Sequence, residues 1–331
     1  SYGTDEMEVV NVYKYLGIVL STRLSFSHAL NDMAARAKIG SVNILKLLWS
    51  LGEKSPKVFF KLFDTQIQPM LNYGAEVWGL EADLKIIERV HLFALKRFLN
   101  VSVRTSTVLV YGETGRYPLF VNIYMKCVRY WLRILSMSSE RYPKKAYKML
   151  LYMHEQGRNT WASSLCYLMY RYGFDEAWES QGVGNEKAFI KLFKERLVSR
   201  YNEEWRYNLH NNERYKVYRT FKSELTLSPY LIDLKHVKAR SYLIRLRLSV
   251  SQINTHRQKF LGANNTLLDC PFCENVVESE VHFLLVCPAY TDIRNMYIPH
   301  KFFSSPCLQR LAVLLATTNR STQIRLAKFL K

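Results

Sequence analysis

Residues 30–48 read LNDMAARAKIGSVNILKLL. Leu30, Met33, Ala34, Ala37, Ile44, Leu45 and Leu48 recur at steps that place apolar side chains along one face of an α-helix. The same period continues outward from this stretch. Ser55 followed by Pro56 is an N-cap and first-turn pair, and the helix it opens should bury Phe59, Leu62, Phe63 and Ile67. Asp83 caps a further helix with Ile86, Ile87, Val90, Ala94 and Phe98 inward. Helical stretches are expected over 119–138, 143–156, 160–172, 185–204 and 235–248. In the last of these Ile244, Leu246 and Leu248 alternate with Arg245 and Arg247, so a strand presenting both cations on one face is an open alternative.

Two regions break the helical pattern. Glu8 to Leu20, rich in β-branched and aromatic residues around Gly17, reads as a short hairpin. Gly112-Glu113-Thr114-Gly115-Arg116-Tyr117-Pro118 is turn-rich and marks an expected boundary. The expected fold is therefore mainly α: a β-hairpin over 1–26, a helical region over 27–110, a basic helical region over 111–260, a cysteine-bearing module over 261–295 and a basic helical tail over 296–331. A length of 331 residues fits about two domains, and the 48% apolar content supplies sizeable cores and excludes a disordered tail. No apolar run approaches the ~18 residues of a membrane span, and the start does not resemble a signal peptide, so a membrane partner and secretion are not expected. A first residue other than Met suggests a fragment.

Lys and Arg number 47 against 28 Asp and Glu, a net charge of +19 that points to a polyanionic partner, RNA or DNA. The surplus is uneven. Residues 1–100 carry 12 basic and 10 acidic side chains, whereas 101–150 carry 9 and 2, and 301–331 carry 6 and none. Between Asp233 and Asp269 lie Lys235, Lys238, Arg240, Arg245, Arg247, Arg257 and Lys259 without an intervening carboxylate, and these are the candidate phosphate contacts.

Cys270, Cys273, His282 and Cys287 form a CxxC-x8-H-x4-C arrangement. A CxxC turn offers two ligands from one knuckle and the His/Cys pair closes a tetrahedron, so the expected cofactor is zinc. With every position filled by protein, no site remains for a catalytic water, and the zinc would be structural. Cys127, Cys166 and Cys307 sit apart and are expected in cores. Asp269, Glu274, Glu278, Glu280 and Asp292 oppose only Arg294 and make the module a poor phosphate clamp, which leaves the preceding basic segment as the expected grip.

Tyr13-Lys14-Tyr15-Leu16-Gly17, Leu62-Phe63-Asp64, the run Gln68-Pro69-Met70-Leu71-Asn72-Tyr73-Gly74-Ala75-Glu76-Val77-Trp78-Gly79, Tyr111 to Leu119, Leu246-Arg247-Leu248-Ser249, and Cys270 to Cys287 followed by Pro288 occur in that order. Together they resemble the region following the palm in reverse transcriptases of LINE-type (non-LTR) retrotransposons, over essentially the whole chain. The resemblance implies part of an RNA-directed DNA polymerase in which Tyr15, Leu16 and Gly17 belong to a primer-grip hairpin followed by a helical thumb. It also implies an upstream polymerase palm as a partner and a nuclear and cytoplasmic ribonucleoprotein setting. The chain has no Asp-Asp pair to hold the two metal ions of polymerase chemistry, so it is not expected to be an enzyme alone. Only 44 residues follow Cys287, and no Pro-Asp dipeptide occurs, so a terminal nuclease is not expected either. Gly112 to Gly115 lacks the Lys-Ser/Thr of a phosphate-binding loop, and His28, His91, His154 and His210 lie near no nucleophile motif.

A different class fits the same residues: a helical protein-interaction module in which the aromatic stripes are cores and the zinc supports a docking surface. Tyr201, Trp205, Arg206, Tyr207, Arg214, Tyr215, Lys216, Tyr218 and Arg219 could stack on and neutralise a single strand, or form a core edge with solvated charges.

Overall fold

The computed structural model describes residues 10–23, 25–258 and 268–331. It is mainly helical, as expected, with one antiparallel hairpin among the described residues. Strands Val12–Tyr15 and Ile18–Ser21 pair with Tyr15 opposite Ile18. Leu16 and Gly17 both have positive φ, 47° and 84°, which is the two-residue turn whose twist matches that of the flanking strands. No helix among the described residues is long and apolar enough to cross a membrane.

The chain divides into two compact units, each assembled from separated segments: 1–43, 62–91 and 117–201 in the first, and 44–61, 92–116 and 202–331 in the second. The expected boundary at 111 falls inside helix Thr107–Thr114, and that at 296 falls inside helix Thr291–Tyr297. Composition locates turns and charge runs. It is blind to which distant segments bury one another, and burial is what defines a domain.

In the first unit, helices Phe120–Leu135, Tyr142–Glu155, Trp161–Tyr172 and the start of Glu186–His210 enclose a core containing Trp131, Tyr147, Trp178 and Phe193. Trp131 Nε1 donates to Tyr147 Oη at 3.0 Å, and Tyr147 Oη donates to Gln181 Oε1, so both polar tips are satisfied inside. Thr160 starts its helix with a reciprocal cap: its Oγ1 accepts from Ser163 N, and Ser163 Oγ accepts from Thr160 N. The apolar stripe of helix Ser27–Ser50 is buried at every position named above. Helix Pro56–Leu62, whose residues up to 61 belong to the second unit, begins at the expected proline, then widens into a π-turn over Phe63–Ile67. Pro69, just beyond, has no N–H with which to close the regular ladder.

In the second unit, Gly115 ends helix Thr107–Thr114 with φ +63°. A Cβ there would lie 2.4 Å from Leu227 N and 2.7 Å from Thr226 C, because Thr114 and Leu227 form a β-bridge beside it. Gly115→Ala meets backbone that has no room to yield and a conformation that L-residues avoid. It should therefore destabilise the second unit by more than about 1 kcal/mol, read as a lowered urea midpoint.

Candidate metal centre and basic groove

The ligand atoms of Cys270, Cys273, His282 and Cys287 all lie within 4.8 Å of one another, a cluster compatible with a metal site. Local backbone explains the convergence. Cys270 N donates to Val276 O and Glu278 N donates to Leu268 O, closing a loop through Asn275 at φ +57° that carries the first two cysteines. His282 opens a π-turn over His282–Val286, and Cys287 N returns to His282 O at 2.7 Å. Arg294 is buried and donates from Nε to Leu284 O at 2.8 Å and from Nη2 to Cys287 O at 2.6 Å, which pins the ligand-bearing turn.

The electrostatics suit a cation. Burial, then hydrogen bonding to Cys287 and Cys270, pushes the Cys273 thiol up to about 11, so the sulfurs oppose one another's ionisation. Burial lowers His282 and favours its neutral, ligating form. His282 Nε2 is buried without a hydrogen-bond partner among the described residues, an orphan that a metal ion would satisfy.

Contrary to the expectation of an acidic surface, the carboxylates of this module do not all face outward. Glu278 accepts from Asn254 N at 2.6 Å. Glu280 lies 2.7 Å from His256 Nε2, whose Nδ1 is 2.7 Å from Ser251 Oγ. Glu278, Glu280, His256 and Arg294 are all buried: the two glutamates hold helix Asn254–Gln258 to the module through Asn254 and His256, Arg294 holds the ligand-bearing turn, and only Asp269, Glu274 and Asp292 remain surface acids of the expected set. Cys127 is buried as expected, whereas Cys166 is half-buried and Cys307 exposed.

The candidate phosphate contacts separate into two sets, because residues 237–247 form a helix rather than a strand. Steps of three and four residues put Arg240, Leu243, Ile244 and Arg247 on the inner face. Arg240, 4% exposed, donates to Lys54 O and Leu231 O and lies over the Phe98 ring. Arg247, 5% exposed, pairs with the wholly buried Glu113 at 2.9 Å, donates to Leu315 O and sits between Phe221 and Tyr230. These two arginines are core groups and not phosphate contacts. Lys235, Lys238 and Arg257 are exposed, Arg245 is half-exposed, and Lys259 lies outside the described residues.

Lys238, Tyr242 and Arg245 occupy the outer face of the same helix. Beside them runs the tail helix Arg320–Phe329, whose Arg320, Ile324, Lys328 and the following Lys331 repeat the helical step. Together the two helices line a groove of about 590 Å³ in which Lys235, Lys238, Arg320, Lys328 and Lys331 face a single carboxylate, Asp233, among the described residues. Arg320, Lys328, Lys331 and Tyr242 are groove-lining residues that the sequence by itself does not single out. Their periodicity is legible, but which helix lies opposite is not.

Of the aromatic and basic set near 201–219, Trp205 and Tyr218 are core residues, and Trp205 Nε1 donates to Val108 O. Tyr15 and Leu16 of the hairpin tip are 58% and 73% exposed, with Tyr73 Oη donating to Leu16 O at 2.9 Å.

No protein-family model, curated protein or solved structure matches the chain.

Proposed function

We propose that this chain is the nucleic-acid-binding thumb and carboxyl-terminal part of a LINE-type reverse transcriptase, which positions an RNA or DNA strand for a catalytic palm lying outside it. The observation that carries the proposal is the groove between helices Val237–Arg247 and Arg320–Phe329, where cations from distant parts of the sequence line one wall each. Clustered lysines and arginines around a concave, partly apolar floor concentrate the field on a bound phosphate backbone. The order of motifs in the sequence supports the family reading, and the exposed Tyr15 and Leu16 at the hairpin tip are what a primer grip needs to have accessible.

Zinc is the ion proposed for the cysteine cluster. A tetrahedron of thiolates with Zn–S of about 2.3 Å has edges of about 3.8 Å. The Cys270–Cys287 and Cys273–Cys287 sulfur separations are both 3.8 Å. Four protein ligands leave it a structural role, holding the module against its neighbours.

Replacing Lys235, Lys238, Arg320 and Lys328 together by Gln should weaken binding to single-stranded RNA or DNA. It should also reduce the slope of log affinity against log salt by about 3, at roughly 0.7–0.9 for each phosphate that a removed cation would have neutralised. Gln at the exposed Lys187 and Lys194 of the first unit is the control and should leave the slope unchanged. Unaltered affinity and slope in the quadruple variant would remove the groove as the binding surface.

A further inference from the structure

The basic groove does not end blindly. Tyr242 and Lys331 line it and also line a second cavity of about 350 Å³, whose other walls include Arg245, Phe283 and Tyr290. We propose that this second cavity takes one unstacked nucleobase, so that the strand following the groove is single-stranded where it passes Tyr242. The proposal rests on the nucleic-acid reading of the groove.

The chemistry of the walls changes where the two spaces meet. Lysines dominate the groove, which suits a phosphodiester backbone, whereas the second cavity is lined by three aromatic rings, a guanidinium and the apolar Val250, Ile253 and Leu330, and aromatic rings and guanidinium groups are what bases stack on. Its volume lies at the small end of ligand pockets, roughly 300–1,000 Å³, and suits a single planar ring system better than a helix or a loop. Gln252, which is exposed, and Glu278, one of whose carboxylate oxygens accepts from Asn254 N, also line it and offer a donor and acceptors that an apolar docking pocket would not need. A base held in a duplex presents only its edge, so entry requires an unpaired nucleotide.

The aromatic walls are also held in place. Phe283 follows the ligand His282 and Tyr290 lies three residues after the ligand Cys287, with ring centroids 5.0 Å apart and near-perpendicular planes. Both rings rest against Phe329 of the tail helix, at 5.6 and 6.2 Å. The metal-ligand segment and the tail helix therefore fix the cavity from two sides, so a base meets a preformed slot.

Fluorescence anisotropy with the full chain and three labelled 12-mers tests the proposal: a mixed-sequence single strand, an abasic phosphodiester strand and a blunt duplex. The single strand should bind on the order of tenfold tighter than the abasic strand, from stacking of one base. Tyr290→Leu should remove that difference while leaving abasic binding unchanged, which separates the loss of base stacking from the loss of the fold. In the unmutated chain, 2-aminopurine walked along the strand should be quenched at one position. Equal binding of single and abasic strands, or a duplex as tight as the single strand, overturns the base site and leaves the groove standing. Binding of none of the three overturns the groove and the base site together.

Discussion

Protein isolated without chelator is expected to carry one zinc per chain, and removing it should unfold residues 268–297 together with the elements resting on them. Apparent binding free energies at such sites are about 10–16 kcal/mol and are coupled to folding, so metal loss exceeds what a small module retains by itself. The spread to neighbours follows from geometry. Helix Asn254–Gln258 is held by Glu278 and Glu280, and the tail helix by the packing of Phe329 on Phe283 and Tyr290. Hydrogen exchange should therefore show lost protection in 251–258 and 320–329 as well as in the module, while the core over 121–197 keeps its protection. Cys273→Ser should reproduce the loss, and cobalt(II) in place of zinc should give the spectrum of a tetrahedral thiolate site. Folded, fully protected protein with no bound metal would refute the site.

Breaking the Glu113–Arg247 pair should be the most damaging substitution away from the metal. Either Glu113→Leu or Arg247→Met leaves a buried charge without its partner, at a cost of about 3–5 kcal/mol, whereas the double variant should cost much less than the sum. Burial by itself would raise the Glu113 carboxyl. The Arg247 guanidinium, by charge and hydrogen bonds, with help from the Tyr230 hydroxyl and Lys222, brings it below its ordinary value instead. A carboxyl whose folded pKa is depressed contributes stability that is present above its unfolded value near 4.5 and is lost as pH falls through the folded value. Urea midpoints of the unmutated chain should accordingly fall below about pH 4.5, and the double variant should lose that component of the decline. Single variants as stable as the parent would show that the pair is not the fixed core group inferred here.

Helix positions are legible in the sequence because periodicity is a local property. The stripes around Leu30, Phe59 and Ile87, the proline start at Pro56 and the cap at Asp83 follow from side chains a few residues apart, and the observed helices bury most of those apolar positions. The four metal ligands are legible for the same reason, since a CxxC turn and a nearby His/Cys pair need only short-range backbone geometry to converge. The arginines show where local information ends. Arg240, Arg245 and Arg247 look alike as charges in a basic run, yet two are core groups and one lines a cavity. What separates them is the identity of the partners across the fold: Glu113 and the Leu315 carbonyl for Arg247, and the Lys54 and Leu231 carbonyls for Arg240. A buried guanidinium is tolerable only where such acceptors meet it, and apart from Leu231, nine residues from Arg240, their approach depends on packing between segments 68 to 186 residues apart. The groove has the same origin. Each helix carries some of its cations along one outer face by sequence alone, and only tertiary packing turns two such faces into one concave surface.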